Sequence, residues 1–319
     1  MIQRFDNIAV DFPEASDPSP NSAAAVQELM GGKFGEMSTL MNYTFQSFNF
    51  RGREKYRPFY DLISNIASEE FSHIEAVAYA INLLLTGSTT RSDRNVPGGK
   101  NNETTMTDAI KNVVTSGHVD PAPLKSALDA RNSYHFIASG QTALPVDSMG
   151  NPWNGSYVVS TGNLKMDLLH NFFLECGARA NKMRVYDMTD HPVARALVGY
   201  LLVRGGVHVV AYAKALEKLT GVNVGGLLPI PDVSNKKYPE AARLEKEGLH
   251  TIMYKFSPTA YNQLAEIWNG PHPEDGQELI VKDEMPKAYP YPDLPEEPQL
   301  SSPGDIDPEM LKYYAGKLG

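Results

Sequence analysis

The sequence predicts an all-α protein, a four-helix bundle with one long crossover and a proline-rich C-terminal arm. Three observations carry the prediction. Apolar residues recur at helical spacing over about 22–50, 58–85, 163–186 and 192–220. The last two stretches are separated only by Asp187-Met-Thr-Asp-His191, and the first two by a similarly short link, so each pair should pack antiparallel. The two pairs are joined by one connection, from Gly87 to Gly162.

Each element has its own signals. Ser22 is the expected N-cap of the first helix, which should run to about Phe50, before Arg51-Gly52. Pro58 suits the first turn of the second, and Thr86-Gly87 its end. The crossover holds a polar, glycine-rich stretch (88–107), an expected short helix (122–131) and loops rich in Pro, Gly and Trp (145–155). Two helical hairpins joined this way have the topology of ferritin-like bundles. The fourth long helix should start near Pro192 and stop at Leu219-Thr220-Gly221, with shorter helices over 239–256 and 258–268. From Pro271 onward nine of the 23 prolines fall within the last 49 residues. Residues 1–270 therefore read as one domain. Residues 271–319 read as an extended arm that packs on a neighbouring subunit through Tyr289-Pro-Tyr-Pro-Asp-Leu and Met310-Leu-Lys-Tyr-Tyr.

The net charge of −9 argues against nucleic acid or an anionic membrane as a partner. A single cysteine, Cys176, excludes an intramolecular disulfide and fits a reducing compartment. Without a secretory leader or an uninterrupted apolar run of membrane-spanning length, the chain is expected to be soluble and cytoplasmic.

The chemistry-bearing residues lie inside the helices. Glu70-Phe-Ser-His73 places a carboxylate and an imidazole three apart, on a face that also carries Ile63, Ile66 and Val77. Glu36 shares its face with Leu29, Leu40 and Tyr43. Glu175 sits among Leu168, Phe172 and Ala178, and His208 among Leu201, Ala211 and Ala215. Three inward carboxylates cannot share a core without cations. With two imidazoles and no thiolate, the donor set favours manganese or iron over zinc or copper. Glu70 would bridge two ions, one also held by Glu36 and His73, the other by Glu175 and His208. Glu69 competes with Glu70, but the step of three to His73 selects Glu70. A second Glu-x-x-His would need Glu at 205, where the chain has Gly205; the glycine leaves space beside the ions for a small substrate. An iron-storage bundle and a di-iron oxygenase are the competing readings, and Gly205 counts against both.

Several further motifs stand out: Gly35-Glu36 with Tyr43, Ala67-Ser-Glu-Glu-Phe-Ser-His73-Ile-Glu, and Asn151-Pro-Trp-Asn-Gly-Ser-Tyr-Val. To these are added Gly162-Asn-Leu-x-x-Asp167-Leu, the 33-residue step from Glu175 to His208, and Pro231-Asp-Val-Ser-Asn-Lys-Lys-Tyr-Pro239. In these motifs the chain resembles the manganese catalases, the non-haem dimanganese family. The resemblance implies two manganese ions per subunit, held by Glu36, Glu70, His73, Glu175 and His208. It implies disproportionation of hydrogen peroxide by a pair cycling between Mn(II)2 and Mn(III)2, and a homohexamer. Glu70 is a proton-carrying candidate, with Lys182 and Tyr43 as outer groups, Tyr43 donating to a ligand carboxylate. Some members instead carry an arginine before the third-helix glutamate and a glutamate three before the last histidine. Here those positions are Leu174 and Gly205, so the chain follows the lysine type. A calcium site would draw on Asp61, Asp232 and Ser234, although Lys236 stands where a small neutral residue is expected. Cys176 and the histidines at 118, 135, 170, 191, 250 and 272 are read as structural or surface residues.

Overall fold

The computed structural model describes residues 6–15, 18–87, 142–228, 232–294, 312–313 and 315–317. The expected short helix over 122–131 lies outside these residues, as does most of the arm after residue 294.

The expected first helix is divided into α1 (Pro20–Gly31) and α2 (Glu36–Phe48). The cause is the run Gly31-Gly32-Lys33-Phe34-Gly35. Gly32 leaves the helix with extended backbone while its N–H still donates to the Glu28 carbonyl. A Cβ on Gly32 would sit 2.5 Å from that carbonyl oxygen, and one on Gly35 2.8 Å from those of Leu29 and Met30. Only glycine permits this tight restart. Its consequence is functional: Glu36 falls in the first turn of α2, where the helix dipole favours a carboxylate. The cap of α1 is Ser19 rather than Ser22, its Oγ accepting from the Ser22 N–H, with Pro20 opening the helix.

The other three rods follow the expected bounds closely. They are α3 (Arg57–Thr86), α4 (Leu164–Asp187) and α5 (Pro192–Thr220). Asn163 caps α4, accepting from the Lys165 and Met166 N–H groups, and His191 caps α5 through Nδ1. Gly221 ends α5 in the left-handed region (φ 73°). α2 packs on α3, α3 on α5, α5 on α4 and α4 on α2, which closes a ring of four, while α1 continues the first rod along α3. α5 is long and apolar enough to cross a membrane, but 94% of its apolar window is buried in the bundle, as befits a core helix.

After α5 the chain departs from the all-helical expectation. α6 covers only Pro239–Lys246, and a left-handed Gly248 (φ 84°) stops it. Thr251 and Ile252 are β-branched and Tyr254 aromatic, and the segment instead forms β1 (Ile252–Tyr254). β1 pairs in parallel with β2 (Ile280–Lys282), Ile252 opposite Ile280. Between them, the helix expected over 258–268 is reduced to one 3-10 turn, Leu264–Glu266. Asn65 fastens this lobe to α3, donating to the Tyr254 carbonyl and accepting from the Phe256 N–H.

The first part of the expected arm lies on the chain's own bundle. Tyr289 exchanges two backbone hydrogen bonds with Ile8, Tyr291 donates to Glu75, and Tyr79 donates to the Pro292 carbonyl.

Two apolar clusters fill the bundle. One is built on Val26, Leu29, Val77, Ile81, Leu197 and Leu201, the other on Leu62, Ile66, Leu168, Phe172, Ala211 and Trp268. Along α3 and α4 the segments 69–73 and 175–182 lie between the two clusters, and on α5 residues 204–208 lie where they meet. That level carries the charged side chains.

Candidate metal centre

Eight ionisable side chains meet there: Glu36 from α2, Glu69, Glu70 and His73 from α3, Glu175 and Lys182 from α4, and Arg204 and His208 from α5. Each is at most 1% exposed, so no solvent compensates their charges.

Five of them form two triads that share one member. Glu36, Glu70 and His73 place donor atoms within 4.8 Å of one another, as do Glu70, Glu175 and His208. His73 Nδ1 stands 3.1 Å from Glu70 Oε2 and 3.4 Å from Glu36 Oε2. His208 Nδ1 stands 2.7 Å from Glu70 Oε1 and 3.4 Å from Glu175 Oε1. Glu70 thus presents one oxygen to each imidazole.

The donors satisfy one another only in part, His73 Nδ1 lying within hydrogen-bond distance of Glu70 Oε2. Both Glu36 oxygens, Glu70 Oε1, Glu175 Oε2 and His208 Nδ1 are buried without a hydrogen-bond partner, although several lie in close contact. Atoms that crowd together without aligning their lone pairs and protons are aimed at a common point between them. Burial pushes the Glu36 carboxyl up, and neighbouring Lys182 does not fully offset it. Burial opposes charge on His73 too, yet Glu70 and Glu36 raise it to about 9. An anionic cluster that draws protons this strongly fits divalent cations, and oxygen and imidazole donors suit manganese.

Lys182 points inward, its Nζ 2.9 Å from Glu36 Oε1. Burial would lower its pKa, but Glu36 and Glu175 raise it above the ordinary lysine value, so it stays cationic. A Cβ at position 205 would meet this nitrogen at 3.1 Å. The space left by Gly205, expected to admit substrate, therefore holds the lysine head. Tyr43 donates its hydroxyl to Glu175 Oε1 at 2.6 Å, and burial beside Glu175 drives its pKa far up, which keeps the proton on it. Thr39, not singled out in the sequence, donates to Glu70 Oε2 at 2.8 Å.

Glu69 has a role that spacing did not reveal. His208 Nε2, the nitrogen facing away from the triad, lies 3.2 Å from Glu69 Oε2. A carboxylate there holds the proton on Nε2 and turns the Nδ1 lone pair inward. Arg204 in turn grips Glu69, with Nε at 2.5 Å and Nη2 at 3.1 Å, and donates Nη1 to the Leu249 and Ile252 carbonyls. Burial alone would raise the Glu69 carboxyl, but Arg204 and His208 hold it far below the usual range.

Among the residues expected to hold calcium, Asp61 and the backbone carbonyls of Asp232 and Ser234 have partners within the chain, whereas the Asp232 carboxylate accepts, among the described residues, only from the Ser234 N–H. Asp61 is paired with Arg57 at 2.6 Å and accepts from the Gln263 N–H. The Asp232 and Ser234 carbonyls accept from the Arg179 guanidinium, a cation the chain supplies itself. His170 contacts Asn42 and His191 caps α5, whereas His250 and His272 lie together beside Asp275. Positions 118 and 135 are outside the described residues.

Comparison with known proteins agrees with this geometry. The sequence pattern of manganese-containing catalases matches residues 4–119 and 103–312. A manganese catalase of Bacillus subtilis is 35% identical over 215 residues, covering 66% of this chain and 70% of that one. A manganese catalase of Lactiplantibacillus plantarum is 30% identical over 207 residues, with 65% and 67% covered. A solved manganese catalase from Anabaena shares the fold, with TM-score 0.50 and 24% identity over 81% of this chain and 92% of that one. A pattern match over most of the length, joined to these pairwise identities, establishes that the chain belongs to the manganese-containing catalases, enzymes that disproportionate hydrogen peroxide.

Proposed function

We propose that Glu36, Glu70, His73, Glu175 and His208 hold two manganese ions in each subunit, with Glu70 shared, and that peroxide is disproportionated there. The observation that carries the assignment is the pair of triads joined through Glu70, in which both Glu36 oxygens, Glu70 Oε1, Glu175 Oε2 and His208 Nδ1 are buried without hydrogen-bond partners. When bound, the manganese pair supplies a two-electron couple, Mn(II)2/Mn(III)2, so two molecules of hydrogen peroxide become two of water and one of dioxygen.

The chain's own residues do the rest. Three carboxylates offset the added cationic charge and favour the higher oxidation state. The imidazoles enter through Nδ1, and Glu69 with Arg204 fixes the His208 ring from behind. Tyr43 orients Glu175, and Thr39 orients Glu70. Lys182 Nζ is the proton-bearing group nearest Glu36, placed to give a proton to the oxygen released from peroxide and to recover it from the next molecule. Glu70 is the second proton-carrying candidate. The apolar clusters on either side keep bulk water away, which strengthens every charge interaction within.

A homohexamer is supported by apolar side chains on the outer faces of α2 and α4. Phe48 is 70% exposed and Phe173 62%, with Phe45, Met166 and Leu169 also exposed. Such a surface suits subunit contact.

Metal analysis together with oxygen release from peroxide tests the reading. Glu70→Ala and His73→Ala should each abolish manganese loading and oxygen release, and the parent enzyme should resist cyanide, which blocks haem catalases. Full oxygen release from either variant overturns the assignment.

A further inference from the structure

We propose a second metal site, formed by His250, His272 and Asp275, suited to a borderline divalent cation of the zinc class. It is separate from the dimanganese centre and lies in the lobe that carries β1 and β2. The three residues offer donor atoms within 4.8 Å of one another. His250 Nε2 is 2.8 Å from Asp275 Oδ2, and His272 Nδ1 is 3.4 Å from Asp275 Oδ1. Donors bound to one tetrahedral ion at about 2.0–2.2 Å stand about 3.3–3.6 Å from each other, so this spacing needs little adjustment.

The surroundings hold the donors in place. Both imidazoles are buried, with ring centroids 5.0 Å apart and planes at 86°. His272 opens a tight loop closed by its N–H donating to the Gln277 carbonyl and by the Gly276 N–H donating to the His272 carbonyl. Gln277 orients Asp275 through its backbone N–H and its side-chain amide. The Glu274 N–H reaches His272 Nδ1 at 3.3 Å, a long bond that leaves the lone pair open to a stronger partner.

Two imidazoles with one carboxylate form a softer donor set than the carboxylate-rich dimetal cluster, which separates zinc from manganese. Asp275 is 36% exposed at its side chain, which leaves a fourth position for water. A bound ion would clip the Gly270–Leu279 segment, which leads into β2, to the segment that leads into β1. Its role is therefore structural.

Cobalt(II), whose visible absorption reports a nitrogen- and oxygen-bound site, is the probe, added to manganese-loaded enzyme. The expected result is one extra cobalt per chain with manganese content unchanged. His272→Ala, and separately the near-isosteric Asp275→Asn, should weaken that binding by about 100-fold, since losing even an outer partner of a metal ligand costs 10- to 100-fold. Both variants should keep normal manganese content and oxygen release, which reports that they fold. No extra cobalt, cobalt bound only as manganese leaves, or parental cobalt affinity in either variant overturns the proposal.

Discussion

Replacing Arg204 by methionine isolates the outer support of the metal centre. The substitution keeps side-chain volume but removes both contacts to Glu69 and the two hydrogen bonds to the Leu249 and Ile252 carbonyls. Glu69 is 1% exposed, so its carboxylate would be left in the interior with only the imidazoles of His208 and His73 beside it. Breaking one side of a buried pair costs about 3–5 kcal/mol, and the stranded carbonyls push the value towards the upper end. A chain of 319 residues unfolds with an entropy of about 0.7 kcal/mol/K, so Arg204→Met should lower the melting temperature by about 7 °C at fixed excess manganese. Combining it with Glu69→Leu removes the stranded charge and should recover most of the loss. Manganese affinity of the double variant should nevertheless stay about 10- to 100-fold weaker, because His208 Nε2 has lost its acceptor. Thermal melts with metal analysis on both variants decide the matter. A single variant melting within a degree of the parent, or a double variant with parental affinity, would refute the account.

Three further expectations follow from the same geometry. Lys182→Met should retain manganese while lowering the oxygen-release rate by about 100-fold, read as initial rates at saturating peroxide. Tyr43→Phe removes a 2.6 Å bond to Glu175 and should cost about 1.5–3 kcal/mol in a denaturant titration, with weaker metal retention. Because His73 is raised to about 9 in metal-free protein, its imidazolium contributes stability that is complete below pH 6.5 and lost as pH rises through 9. Metal-free protein should therefore melt lower at pH 9.5 than at pH 6.5, and manganese uptake below pH 9 should release protons, measurable in weakly buffered solution.

The parts of this molecule that were legible in its sequence are those governed by helical periodicity. The rods α3, α4 and α5 announce themselves through Pro58, Pro192 and Gly221, and the carboxylates at 36, 70 and 175 through the apolar faces they interrupt. The break at Gly31-Gly32 was hidden because the apolar pattern continues in phase across it; the glycines were the signal. Short-range β pairing between Ile252 and Ile280 was equally hidden, since each partner supplies only three residues.

Glu69 shows most clearly where one-dimensional reading ends. It is adjacent to Glu70, so the two point about 100° apart around α3, and both are buried. Periodicity alone treats one of them as misplaced. What separates them is 135 residues away: Arg204, directly after the apolar run Leu201-Leu202-Val203, is a cation that a dry helix tolerates only against a buried anion. Counting charges across helices, rather than along one, assigns that anion. Glu70 faces the inner nitrogens of two imidazoles, whereas Glu69 faces a guanidinium and the outer nitrogens, His208 Nε2 at 3.2 Å and His73 Nε2 at 3.8 Å. The acidic pair is thus one motif with two electrostatic duties. Exchanging them through Glu69→Gln and Glu70→Gln should separate orientation from metal holding: the first weakens manganese retention and the second abolishes it.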